Sequence, residues 1–161
     1  MIDKDLLRRT VDELLAGTDV YLTDLRVAPG NDITVEIDSA EGVDIATCER
    51  ITRGIEEAFD REVEDYSLEV GSAGITSPLK VRAQFVKNIG GEMEVLTKDG
   101  RKLRGTLVEV APGEPLDTDV AFTIEVQVKV KEPGVKRPVV RAEALTFSSM
   151  DCKYVRPEIK F

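Results

Sequence analysis

The sequence predicts an α+β protein of two small units. Three observations carry this. The apolar periodicity runs helix, strand, strand, helix, strand over roughly the first 70 residues and then turns almost wholly to strand. Charge is split, with 7 Lys/Arg against 19 Asp/Glu in residues 1–79 and 15 against 12 in residues 80–161. Between the halves, Gly71 to Pro78 collects two glycines, two serines, a threonine and a proline, the composition of a joint. The expected domains are therefore 1–79, a small α/β unit, and 80–161, a β-rich unit.

Asp3 can cap a helix running to about Ala16, with Leu6, Leu7, Val11, Leu14 and Leu15 as an apolar stripe and Gly17 at its end. Tyr21 to Val27 follows as a strand, with Tyr21, Thr23, Leu25 and Val27 on one face. Pro29-Gly30-Asn31-Asp32 is a turn, and Ile33, Val35 and Ile37 alternate with polar residues in a returning strand. Asp44 can cap a second helix with Ile45, Cys48, Ile51, Ile55, Ala58 and Phe59 inward. Gly54 inside it is either a close-packing point or merely tolerated. The charged link Asp60 to Asp65 leads to a strand at Ser67 to Val70. This order matches the α-β-β-α-β plan of a KH-like domain.

In the second half, Val81 to Ile89 predicts a short helix with Phe85 and Val86 inward. Glu92 to Thr97 alternates as a strand, Lys98-Asp99-Gly100 is a hairpin turn, and Arg101 to Ala111 returns with Gly105 at a bend or bulge. Pro112 to Asp119 is an acidic loop. Phe122 to Lys131 is a long strand, Lys131 to Pro138 a loop, and Val139 to Leu145 and Tyr154 to Phe161 complete five strands, with Pro157 marking an edge. Five short strands in this span suggest a small SH3-like or Sm-like barrel.

Composition narrows the chemistry. The chain has no His, which removes the usual neutral-pH acid/base group and the commonest metal ligand. Serine triads and cysteine–histidine pairs are excluded, so no catalytic, cofactor-binding or metal residue is expected. Gly71-Ser-Ala-Gly74 lacks the Lys-Ser/Thr of a phosphate loop. It also follows a strand, not the helix pair that flanks a KH clamp. The two cysteines, Cys48 and Cys152, fall in different halves and are expected to be reduced structural thiols. No apolar run approaches the roughly 18 residues of a membrane span, and Met-Ile-Asp-Lys-Asp is too charged for a signal peptide. A cytoplasmic protein is expected.

Nucleic-acid contact is the chemistry the residues favour. Lys98, Arg101, Lys102 and Arg104 crowd one hairpin, and Lys129, Lys131, Lys136 and Arg137 surround a loop. Lys80, Arg82 and Lys87 lie beside the joint. Such clusters contact phosphates rather than read sequence; their ordinary role is as solvated turns and strand faces. The acidic half would repel bare nucleic acid; its surface either keeps the protein soluble or meets a basic protein surface.

Tyr66-x-Leu68-Glu69-Val70-x-Ser72-x-Gly74-x-x-x-Pro78-Leu79, followed by Ala83-Gln-Phe85, Ile89-Gly90 and an alternating strand, resembles the signature of the bacterial ribosome maturation factor RimP family. Gly100-Arg-Lys-Leu-Arg-Gly105 resembles that family's second barrel strand, and the resemblance covers essentially the whole chain. Ala73 stands where the family usually has its first proline. Thr76 and Ser77 replace an acidic–basic pair, whose role is not carried over. The resemblance implies a monomeric assembly factor without enzymatic activity or cofactor. It would bind the free small (30S) ribosomal subunit through ribosomal RNA and basic ribosomal proteins and assist late assembly. Gly71, Ser72, Gly74 and Pro78 would form the interdomain joint. Two other readings fit the residues. An Sm-like RNA-binding or RNA-chaperone module would bind naked single-stranded RNA with steep salt dependence. A protein–protein adaptor would keep its partner after RNase treatment.

Overall fold

Asp3 opens the first helix as its sequence position predicts. Its carboxylate accepts hydrogen bonds from the backbone N–H groups of Asp5 and Leu6, two of the donors that a helix start leaves unpaired. The computed structural model describes residues 1–74, 77–131, 133–134 and 136–158. The chain divides into two units, Met1–Gly74 and Ile75–Phe161, with α+β structure in the first and a five-stranded antiparallel sheet in the second.

In the first unit, helix α1 (Lys4–Leu15) buries Leu7, Val11 and Leu15. Leu6, expected inward, is exposed, so the stripe is narrower than its leucines suggest. Strands β1 (Tyr21–Ala28) and β2 (Asp32–Asp38) form the expected hairpin. Gly30 and Asn31 supply the positive φ of its turn. Strict alternation fails in β1. A register shift between Leu22 and Asp24 turns Leu22 and Leu25 both inward, the re-aiming that a bulge produces.

Asp44 caps helix α2 (Ile45–Ala58) through Thr47 N–H at 2.8 Å. Ile51 and Ile55 are buried, whereas Ile45 and Ala58, both expected inward, are exposed. A Cβ at Gly54 would collide with the methyl groups of Leu14, so the glycine lets α1 and α2 pack closely. Strand β3 (Ser67–Ser72) runs parallel to β2 and completes the order β1-β2-β3. The α2 crossover is what a parallel neighbour requires. Tyr66 is buried before it, its hydroxyl donating to Phe59 O at 2.7 Å.

The second unit starts with helix α3 (Arg82–Lys87), which buries Phe85 and leaves Val86 exposed, against expectation. Strands β4 (Glu92–Thr97), β5 (Lys102–Val110), β6 (Ala121–Val130), β7 (Val139–Ser148) and β8 (Cys152–Pro157) take the order β7-β6-β5-β4-β8. A 3-10 turn, Ser149–Asp151, returns the chain from β7 to β8. Strand β8 lies at the edge, where Pro157 predicts it; Ile159 to Phe161, expected to extend it, lie outside the described residues. Gly105 marks no bend. A Cβ there would stand 2.6 Å from Glu125 O, so the glycine permits close approach of β5 to β6. The bulge falls between Leu107 and Glu109 instead.

The core gathers around Phe85, Phe122 and Phe147, with ring centroids 5.3 and 6.0 Å apart along the chain of contacts. It reaches Val126 and Leu145 but no further along the longest hairpin. Residues 139–144 of β7 are all exposed although paired in register with β6 down to Val130↔Val139. The distal half of the β6–β7 hairpin is thus a two-stranded arm without a core of its own. Cys48 and Cys152 are free thiols in separate units.

Candidate nucleic-acid interface

The cations singled out from the sequence take three different positions. Beside the joint, Arg82 sits at the first position of α3 with its side chain buried. Its Nε donates to Ala111 O at 3.0 Å, one Nη to Glu114 O at 2.9 Å and to the Asp117 carboxylate, and the other to Asp119 O. Backbone bonds from Arg82 N to Asp117 O and from Ala83 N to Pro115 O fasten the same loop. A Cβ at Gly113 would strike the guanidinium. The acidic loop thus wraps an internal cation, and Arg82 presents no charge to a ligand, a correction to its expected surface role. Lys80 and Lys87 are both engaged in interactions within the protein.

The second group lies on the β4–β5 hairpin and has a carboxylate beneath it. Glu94, which alternates with Met93 and Val95 along β4, is buried at 6% exposure. Antiparallel register sets it opposite Arg104 of β5 and Arg156 of β8. Residues two apart share a face, so Lys102 and Tyr154 join them. Arg156 donates to Glu94 Oε2 at 2.7 Å through Nε and 2.5 Å through Nη2, and Tyr154 OH donates to the same oxygen at 3.2 Å. Lys102 Nζ and Arg104 Nη2 lie 3.2 and 3.7 Å from Oε1.

Burial works to raise the Glu94 pKa. It is outweighed by hydrogen bonds from Arg156, Lys102 and Tyr154 and by the Arg156 charge, which hold it down to about 2. The carboxylate stays ionised and gathers three cationic heads whose outer sides remain in solvent. Arg156 also stacks over Tyr154, 4.4 Å from the ring centroid. On the turn, Arg101 pairs with Asp99 at 3.5 Å and stands 5.9 Å over the Phe147 ring. With Lys98 it borders a depression of about 360 Å³.

The third group occupies the end of the β6–β7 arm. Lys129, Lys131, Lys136 and Arg137 are exposed there, as is Arg141, which the sequence did not single out, with the turn carried by Gly134 at φ 83°. Glu132 and Val135, within the same loop, lie outside the described residues. No buried carboxylate underlies this end of the hairpin among the described residues. At the joint, Gly71 and Ser72 belong to β3, Gly74 and Pro78 lie outside regular structure, and Thr76 lies outside the described residues. Leu79 N–H donates to Val155 O at 2.7 Å, and its side chain packs on the second core.

Two sets of residues escaped the sequence reading. Glu94, Tyr154 and Arg156 become neighbours only through β4–β8 pairing across some 60 positions, and nothing local announces that register. The arm was legible only as two cation-rich strand ends, because its projection depends on where the core stops.

Residues 10–76 match the RimP N-terminal domain family. Over 153 residues the chain is 42% identical to the ribosome maturation factor RimP of Porphyromonas gingivalis, covering 95% of this chain and 96% of the relative. The chain belongs to the RimP family. The protein of the same name from Flavobacterium psychrophilum is 31% identical over 93% of this chain and 94% of its own length. That from Christiangramia forsetii is 42% identical over 51% of this chain. The RimP N-terminal match ends at residue 76, so both exposed cation groups lie beyond it, in the part of the chain shared with the full-length relatives. Among the described residues no helix is long and apolar enough to cross a membrane.

Proposed function

We propose that the protein is a ribosome maturation factor that binds the free small ribosomal subunit and assists its late assembly, without a catalytic step of its own. The observation that carries this reading is the match, over nearly the whole of both chains, to relatives that bear that name. The second unit supplies the contact with ribosomal RNA. The arm residues Lys129, Lys131, Lys136 and Arg137 and the hairpin cations Lys98, Arg101, Lys102 and Arg104 meet phosphates, with Arg156 added to the set and Arg82 removed from it. Their exposure on projecting strands supports contact by position and charge rather than by base reading.

The α-β-β-α-β order of the first unit supports a KH-like domain. The five-stranded meander, whose last strand returns through a 3-10 turn to pair with the first, supports an SH3-like barrel. The two domains are those read from the sequence as 1–79 and 80–161, with the boundary between them placed within the 71–79 stretch. The clustering of contacts at Gly74 and the Leu79 bond to Val155 favour a boundary at the early end of the 71–79 stretch. The protein acts as a monomer in the cytoplasm, and its acidic first unit faces basic ribosomal proteins.

Sedimentation of a lysate through a gradient tests the reading. The protein should travel with free small subunits and be absent from assembled ribosomes. Steady migration at the top of the gradient, with tight binding to naked single-stranded RNA, would favour the general RNA-binding alternative.

A further inference from the structure

We propose that the open edge of β3, with the groove between it and α2, takes an extended Lys/Arg-rich segment of a protein partner as a fourth strand of the first sheet. Among the described residues strand β3 pairs on one side only, with β2. Ser67 N–H bonds Asn31 O and Ala73 N–H bonds Ile37 O. In a parallel pair these groups alternate, so the odd-numbered residues face β2, and Leu68, Val70 and Ser72 point their N–H and C=O groups to the open side. Exposed edges are usually blunted by Lys, Pro or a bulge. Ser67–Ser72 contains no Lys, Pro or register shift, and its one charged residue, Glu69, disfavours an acidic or neutral strand more than a basic one.

The groove beside this edge measures about 550 Å³ and is lined by Val70, Gly71 and Ser72 of β3 and by residues of α2 and its cap. Ile45, the first residue of α2, is 79% exposed there and offers an apolar contact. Gly71 has no positive φ, and a Cβ on it would meet nothing within 4 Å. The unit's own packing does not require glycine at this position.

Charge selects the partner. Asp44, Glu49 and Glu56 line the groove against the single cation Arg53, in a unit where acidic residues far outnumber basic ones. Main-chain pairing then supplies affinity, and alternate side chains supply register and choice of sequence. The inference rests on the reading above only for the source of the segment, a basic ribosomal protein on the unfinished particle.

The test is amide hydrogen exchange on the full chain with a short synthetic peptide of alternating Lys and Val as probe. Exchange at Leu68, Val70 and Ser72 should slow about tenfold on binding. The same peptide with every backbone nitrogen methylated, which blocks both of its edges, should give no protection. Glu49→Lys with Glu56→Lys, both on exposed positions, should weaken binding about tenfold. Equal binding of the methylated peptide would overturn the proposal, as would protection confined to other elements. Protection of the same amides by a single-stranded RNA oligonucleotide, or by raising protein concentration alone, would overturn it too, by assigning the edge to RNA or to a second copy. No ribosomal particle enters this experiment, so a protein that ignores small subunits yet takes the peptide sinks the functional reading and leaves this one standing.

Discussion

Among its described residues the second unit buries two charges, Arg82 and Glu94, and treats them in opposite ways. Arg82 is ringed by backbone carbonyls and the Asp117 carboxylate of one loop, and its charge ends inside the protein. Glu94 is ringed by long cationic side chains of two neighbouring strands, and its charge is answered by groups that remain in solvent. A buried cation here organises a loop, whereas a buried anion organises a cationic surface. Charge and sequence position alone do not distinguish an arginine that meets a ligand from one that holds the fold. The partners across the sheet do.

The largest effect should come from the internal cation. Arg82→Ala leaves the carbonyls of Ala111 and Glu114 without their donor and removes the anchor of residues 112–119. Urea denaturation should show a loss of about 2–4 kcal/mol. Arg82→Lys should recover little, because an ammonium cannot reproduce the fork of donors. A variant as stable as the parent would put the guanidinium outside the fold's requirements. Next in size, Gly105→Ala should cost about 1–3 kcal/mol, since its Cβ would meet a backbone carbonyl that can yield only by parting β5 from β6.

Glu94→Gln should cost about 1–3 kcal/mol at neutral pH by weakening charge-assisted bonds to Arg156 and Lys102. Its signature is in the pH dependence. The carboxyl pKa is lower in the folded state than its ordinary 4.5, so the folded state favours the ionised form. The stability this contributes is fully present above about 4.5 and is lost as pH falls toward about 2. Over that interval the parent should lose more stability than Glu94→Gln, and parallel pH profiles would contradict the role given to the carboxylate.

Local chemistry carried much of the fold. Asp3 and Asp44 announce their helices because a capping carboxylate acts within three residues. Ile33, Val35 and Ile37 announce β2 because alternation needs no distant partner. The failures share one cause. Leu22 faces inward because of a bulge set by pairing with β2, and Glu94 is buried because β5 and β8 bring Lys102, Arg104, Tyr154 and Arg156 around it. Each depends on residues far away in sequence. The candidate site was legible as clusters of Lys and Arg. Which cations are free to meet a ligand was not, because Arg82 on a helix, Lys102 on a strand and Lys136 in a loop carry no local mark of the partners that distant residues bring to them.

The smallest effect on stability should come from the arm. Replacing Lys129, Lys131, Lys136 and Arg137 together by Glu should change unfolding free energy by under about 1 kcal/mol, because these residues are exposed and lie past the end of the core. The same variant gives the most direct test of RNA contact through the second unit. Purified protein is pelleted with purified small subunits at low and moderate salt. The parent should pellet with the particles and release as salt rises, and the arm variant should stay in the supernatant at least about tenfold more while keeping its parent's thermal midpoint. An arm variant that pellets like the parent at both salt concentrations would contradict the account.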